Sequence, residues 1–470
     1  SIHSYQPPFD WSRYLASKES SLLARGGFHP NLATQNPFSY ISYICYDLPE
    51  FTKGTVVKML LSKPLRKDII RLVLGALLTS FVVYSSAQAE EAACAVATTA
   101  LGQAMKIRGL ERRSEVPCLV SDKAQVAKFL RETIATKLPP NKIEMEQLVY
   151  RTLGVVPDDY DYANGIIELY ASQIGGYYDP EKKHFIMAAW MPAALQVTVA
   201  VHELTHALQD QHFDLEKMMD PKLENGDKLL AIAALVEGDA TAVMTDYTRA
   251  IMGQVSLHQE SNIDGLLLQQ VLAGSAGGFE KTPEALRALL LFPYTSGLRF
   301  VHRLLVEGGY PAVDRAFRNP PTSSREILHP EVYLKPNLPS SIPSIEELDH
   351  ASSVGKEIYT DVIGEFGISA ILAAGQKKKN EAVTAAKGWL GDRVGVFATS
   401  SPEKVVSWKT RWESERDAQE FQEAYGRFLE ARYSIKSSPN GTYETFRRSI
   451  RISRAGAEVS IVFVAGSSTQ

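Results

Sequence analysis

The densest concentration of chemistry in the chain is His202-Glu203-Leu204-Thr205-His206, an H-E-x-x-H sequence. On a helix, residues four apart lie one above the other, so both imidazoles can reach one ion about 2 Å from each nitrogen. Glu203 projects beside them, where its carboxylate can take a proton from an activated water. The chemistry this spacing supports is zinc-assisted hydrolysis, with His202 and His206 as ligands to Zn2+ and Glu203 as general base. The plainer alternative is a pair of solvent-facing or hydrogen-bonded histidines. Three of the ten histidines fall between residues 202 and 212, in a segment that already supplies a separate apolar stripe, and that concentration favours a metal.

A catalytic zinc takes three protein ligands and keeps a fourth position open. Two residues compete for the third place. Glu237 interrupts the otherwise apolar LLAIAALVEGDATAVM, and an ionised side chain is seldom buried without a partner, because its desolvation costs several kcal/mol. The rival is His212, since His202, His206 and His212 follow the H-E-x-x-H-x-x-G-x-x-H spacing of metzincins. That pattern needs a turn at its Gly, and Gln209 stands there in a stretch that reads as helical throughout. Glu237 is therefore preferred to His212. Gly238 beside it is a poor helix former whose use is close helix–helix approach.

These residues need a scaffold, and the sequence sketches one. Segments from Ala97 to about Leu153 read as helices. Lys123 to Leu138 is apolar at i, i+3, i+4 spacing and stops at Pro139-Pro140. Gly175 to Met187 reads as a β-hairpin turning at Asp179 to Lys183. Pro192 opens the helix of the H-E-x-x-H sequence, with Val197, Val201, Leu204 and Leu208 as its core stripe. Asp227 is the expected N-cap of a second helix running to about Met252. Helical character continues over Pro283 to Leu291 and Gly297 to Glu307, and Asn319 to Ser344 reads as an extended connection. From Trp389 the order becomes β-β-α-β-β: strands at Val394 to Thr399 and Val405 to Arg411, a helix at Glu415 to Arg432, then strands at Phe446 to Ser453 and Glu458 to Val464. Trp389, Trp408 and Trp412 read as core aromatics there, and Asp392-Arg393 as a surface ion pair.

With two histidines and a downstream Glu, the chain resembles the gluzincin branch of the zincin metallopeptidases. Glu237-Gly238-Asp239-Ala240-Thr241 is similar to the E-x-x-A-D ligand helix of the CAAX-prenyl and heat-shock peptidases. Thr241 replaces the final Asp, which in that family supports a ligand histidine. Thr241, Asp239 and Asp210 are the candidates for that supporting role. HELTHALQDQHFDL, ALVEGDA, GLRFVHRLLVEGGYPAVDRAF and NPPTSSREILHPEVYL also resemble a group of bacterial secreted proteins assigned as metallopeptidases. That likeness runs from about Leu101 to Tyr425, with its specific motifs covering about a fifth of the span. It implies a zincin core. Zincins usually add a Tyr, His or Arg to stabilise the oxyanion, for which Tyr294, Arg299 and His329 are candidates.

Composition sets the limits. The chain has 470 residues, 45% hydrophobic and 22% charged, which excludes a largely disordered or many-spanning membrane protein. Its net charge of −4 leaves no basic excess to neutralise phosphates, so nucleic acid is not an expected partner. The first Met is Met59. After it come basic residues from Lys63 to Arg71, the 13-residue apolar run Leu72 to Tyr84, and Ala87-Gln88-Ala89. This is the order of a secretory signal peptide, and the run is shorter than the roughly 20 apolar residues of a membrane span. Residues 1–89 hold nine of the Lys+Arg and five of the Asp+Glu, so the remaining 381 residues carry 41 against 49, a net charge of −8. Of three cysteines, Cys45 falls in the segment before the leader. Cys94 and Cys118 are either a disulfide formed on export or two free thiols.

The expected architecture is α+β: a helix-rich zincin-like core with a small sheet or hairpin, plus a small C-terminal β-β-α-β-β domain. The expected boundaries are 1–58 (upstream extension or disordered tail), 59–89 (signal peptide), 90–345 (metallopeptidase domain), 346–388 (helical connection) and 389–470 (α+β domain). The expected function is that of an exported zinc endopeptidase acting on peptide or protein substrates, with membrane contact only through an uncleaved leader. Its alternative is a non-catalytic peptide-binding or chaperone-like protein on a zincin fold. A hydrolase of non-peptide amides is a third.

Overall fold

The computed structural model describes residues 94–465 apart from 174, 221, 224, 268–281, 336–339, 349–354, 375–378, 401–402, 439 and 446–447. The leader and the segment before it lie outside these residues. The described residues all belong to one compact unit, and the fold is α+β. Among them no helix is long and apolar enough to cross a membrane.

The first half runs α1 (94–108), β1 (Cys118–Ser121), α2 (Lys123–Lys137), α3 (Lys142–Leu153), α4 (Tyr162–Gln173), β2 (Gly176–Asp179), β3 (His184–Ala188), α5 (Ala193–Phe213), α6 (Gly226–Ile251) and α7 (Glu284–Arg318). The hairpin forms as its pattern suggests, with Asp179 Oδ1 accepting the Glu181 and Lys182 N–H groups at the turn. β1, too short to read from the sequence, pairs parallel to β3, giving the strand order β1-β3-β2. Cys94 and Cys118 form a disulfide that ties the start of α1 to β1. α2 starts in a capping box between Asp122 and Gln125.

α5 buries Val201, Leu204 and Leu208 against Phe185, Met187 and the Ala100/Ala104 face of α1. Fully burying such a side chain contributes about 1.5–3 kcal/mol. α6 is capped by Asn225, whose side chain accepts the Lys228 N–H. Asp227 is not the cap: it lies in the first turn, buried, and accepts the Ser324 N–H. α6 and α7 approach closely at glycine, as a Cβ on Gly238 would lie 2.3 Å from the Gly297 carbonyl carbon. α7 continues helically through the buried Pro293 and breaks at Gly308 and Gly309. The connection read as extended contains two short helices, Ser324–Leu328 and Pro330–Leu334.

The second half runs β4 (Lys356–Asp361), α8 (Gly364–Ala373), α9 (Lys379–Ala386), β5 (Trp389–Ala398), β6 (Lys404–Trp412), α10 (Glu415–Tyr433), β7 (Thr442–Glu444), β8 (Arg448–Ala455) and β9 (Glu458–Ala465). They build an antiparallel sheet ordered β4-β5-β6-β9-β8-β7, with α10 packed on it through Phe421 and Tyr425 against Trp408. The β-β-α-β-β elements are present, but 346–388 is not simply a helical connection, because β4 inside it is an edge strand of the same sheet. Its sequence KEIYTD mixes charges with β formers, as edge strands do, and so carries no clean alternation. The expected surface ion pair is likewise absent. Asp392 is fully buried and accepts the indole N–H groups of Trp389 and Trp408 and the backbone N–H groups of Ile363 and Gly364. Arg393 instead donates to the Pro343 carbonyl and the Thr360 hydroxyl.

Candidate metal centre

α5 presents His202 and His206 on one face, one turn apart, and α6 brings Glu237 across to them. His202 Nε2 lies 3.1 Å from Glu237 Oε2 and 3.1 Å from His206 Nε2, and His206 Nε2 lies 3.4 Å from the same carboxylate oxygen. Two imidazole nitrogens and a carboxylate oxygen are a recognised catalytic zinc set. Tetrahedral bonds of the usual length put ligand atoms about 3.3 Å apart. The three observed separations bracket that value, so the residues fit the ion.

The imidazoles and the carboxylate attract one another. Burial pushes the Glu237 carboxyl up, but the charge of His206 and hydrogen bonds from both imidazoles hold it well below the usual carboxylate range. Burial pulls the His206 imidazole down; the charge and hydrogen bond of Glu237 reverse this and push it up to about 9. Glu203 points from α5 toward the hairpin, where its Oε2 accepts the Tyr178 N–H at 3.1 Å. Burial pushes its carboxyl up, an effect the two imidazoles oppose.

A side-chain amide orients His206. Gln209 is three positions on, on the same helical face, and its Oε1 lies 2.9 Å from His206 Nδ1. The Gln209 amide donates to the Val236 carbonyl at 3.0 Å and to Asp239 Oδ2 at 2.9 Å. With its nitrogen so engaged, its oxygen faces the ring, which keeps a proton on His206 Nδ1 and leaves Nε2 to carry the lone pair when the ring is neutral. Asp239 in turn accepts Arg108 Nε at 2.8 Å, with both side chains fully buried, and Arg108 reaches Asp314 at 2.7 Å. Arg108, at the end of α1, carried no sequence signal because its partner is 131 residues away.

The other candidates divide. Asp239 supports His206 through Gln209. Asp210 accepts the Tyr178 hydroxyl and pairs with Lys183, so it braces the hairpin on α5. Thr241 is buried, but among the described residues neither its hydroxyl nor His202 Nδ1 has a hydrogen-bond partner, so Thr241 does not orient His202. Tyr294 lies beside the site, its ring centroid 6.2 Å from that of His202. Arg299 is paired with Asp264 at the surface, and His329 Nε2 with Glu365 at 2.7 Å. His212 Nε2 contacts the Glu111 carbonyl at 2.8 Å and is not in the converging group.

A cleft of about 740 Å³ opens onto His206 and Glu237, with Tyr178, Asp179, Leu215 and Met219 among its walls. A second cavity of about 450 Å³ reaches Glu237 from another side. Residues 352–469, about a quarter of the chain, match the family model of a domain of unknown function, DUF8575. No curated protein and no solved structure matches the chain.

Proposed function

We propose that this protein is an exported zinc-dependent endopeptidase with a zincin-like core. The observation that carries the reading is the convergence of His202, His206 and Glu237 at zinc-ligand separations, with Glu203 beside them on α5. Zinc bound there supplies Lewis acidity for activating water and a substrate carbonyl. The protein's own groups do the rest. Glu203, held by the Tyr178 N–H, takes the proton of the attacking water and hands it to the leaving amine. Gln209 keeps the His206 lone pair on Nε2. The substrate lies extended beside β2, the sheet edge whose Tyr178 and Asp179 line the cleft. Tyr294 is the oxyanion candidate, being the one of three that lies next to a ligand. The Cys94–Cys118 disulfide supports export, since such bonds persist in oxidising compartments.

The test incubates zinc-loaded protein and its Glu203→Gln variant with an unfolded protein. Loss of the general base lowers turnover by about 10²–10⁴-fold. Equal cleavage by both would sink the mechanism, and zinc retained unchanged by His206→Ala would sink the site.

A further inference from the structure

The first turn of α6 carries Lys228, at the helix end where the macrodipole disfavours a cation. Lys228 lines a cavity of about 1180 Å³ formed where α5 ends, α6 begins and α7 ends. Arg113, Lys217, Lys222 and Arg318 line the same space, and among the described residues none of these five cations has an ion-pair partner. Four carboxylates line it too. Asp210 is already paired with Lys183 and Asp314 with Arg108, neither of which faces the cavity. Asp214 and Asp220 accept the backbone N–H groups of Lys217 and Lys222 in their own turns. Five cations therefore stand against two uncompensated carboxylates. The apolar part of the wall is Ile232 with Phe213 and Phe317, whose rings stack at 4.5 Å, and low-dielectric walls focus the field of such a cluster. Residues 90–470 carry a net charge of −8, so a local positive excess runs against the composition of the chain.

The cavity adjoins the cleft of the candidate metal centre. Asp214, Lys217, Asp220 and Lys222 line both spaces, so the short helix Leu215–Met218 and the residues after it form a ridge between them. A helix is about 10 Å across, a width that an extended chain crosses in about three residues.

We propose that this cavity is an exosite for an acidic segment of the polypeptide substrate, several residues from the scissile bond, with Lys217, Lys222, Lys228 and Arg318 as its carboxylate contacts. The proposal rests on the endopeptidase reading for the identity of the occupant as substrate. The occupant is a chain segment rather than a small anion, because the cations surround a space far larger than one ion and continuous with the cleft. The anionic groups that a polypeptide brings there are Asp and Glu side chains.

The test compares fluorescent peptides of one unfolded sequence carrying a run of six Glu or six Gln, placed at either terminus. Binding is read by anisotropy on the full chain treated with chelator, so that turnover does not interfere. Four exposed charge pairs make a Glu peptide bind about tenfold more tightly at low salt, an advantage that shrinks as salt rises. Lys228→Gln combined with Arg318→Gln, two side chains without ion-pair partners, lowers the advantage to about threefold. In the zinc-loaded chain the same advantage appears as a lower KM at equal kcat, because the contact is the same in the ground and transition states. Equal affinity for Glu and Gln peptides, or an advantage untouched by the double variant, overturns the exosite. A single-stranded DNA of equal charge that binds as tightly as the Glu peptide, and weakens in the same variant, makes the surface a general polyanion site and overturns the peptide assignment. Glu-dependent binding without cleavage leaves the acidic-peptide site standing and sinks the endopeptidase reading. Cleavage with one KM for both peptides and no binding advantage does the reverse.

Discussion

Asp239→Ala tests whether the buried chain behind His206 supports metal binding or only the fold. The Asp239 carboxylate has no exposed surface and joins Arg108 to Gln209, at 2.8 Å and 2.9 Å. Removing one partner of a buried ion pair costs about 3–5 kcal/mol when the other charge is left uncompensated. Arg108 keeps Asp314 at 2.7 Å, a partner with 24% of its side chain exposed, so the loss belongs at the low end, about 3 kcal/mol. The second effect falls on the metal. Without Asp239 the Gln209 amide retains only the Val236 carbonyl as acceptor, and a flipped amide would set an N–H against the His206 Nδ1 proton. Loss of such an outer contact weakens metal binding by about 10–100-fold. Urea unfolding of chelator-treated protein reads the first effect, and zinc competition against a chromophoric chelator reads the second. Asp239→Asn, which keeps the volume and one acceptor oxygen, falls between the parent and Asp239→Ala on both. If Asp239→Ala loses stability while its zinc affinity stays within about twofold of the parent, far short of the expected weakening, the orienting role assigned to Gln209 and Asp239 is wrong.

Three further outcomes follow from single sites. Cys94→Ser removes a disulfide between residues 24 apart and costs about 3 kcal/mol in the chain-entropy model; urea midpoints that coincide with the parent under oxidising conditions would contradict this. Burial, reinforced by the nearby Asp392 and Glu365, raises the Asp227 carboxyl to about 8 despite its bond from Ser324. The folded chain therefore binds this proton more tightly than the unfolded chain, and the stability it confers is lost as pH rises toward 8, at up to about 1.4 kcal/mol per pH unit. Asp227→Asn flattens that slope, and parallel stability–pH curves for the two proteins would refute it. Tyr294→Phe, if the hydroxyl meets the developing oxyanion, lowers kcat by about 10²–10³-fold with little change in KM; an unchanged kcat returns Tyr294 to a packing role.

What was legible in the sequence was whatever a local rule could reach. H-E-x-x-H names its own geometry because i and i+4 share a helical face. Glu237 was found by the cost of burying a charge, and Gly238 by its poor fit in a helix. The hairpin and the last four long strands announced themselves by turn residues and β-rich runs. β1 and β4 did not, one being four residues long and the other a charged edge. Asp392 was misread for a related reason: a charged pair in sequence looks solvated, and only the fold shows two indoles and two backbone N–H groups converging on it.

Gln209 shows why the remainder needed a structure. In the sequence it counted only as the wrong residue for a metzincin turn, evidence against His212 and nothing more. The same substitution has a positive consequence in three dimensions. A helix that does not turn at 209 keeps that side chain on the face of His206, where an amide can accept the Nδ1 proton. An amide can do so reliably only if its nitrogen is committed elsewhere, which needs Asp239 on α6. Asp239 can be buried there only if a cation neutralises it, which needs Arg108 on α1. Each requirement is elementary, but the three residues come from three helices, and no spacing rule connects them. A helix that stays straight at residue 209 thus both keeps His212 away from the converging group and orders the His206 imidazole.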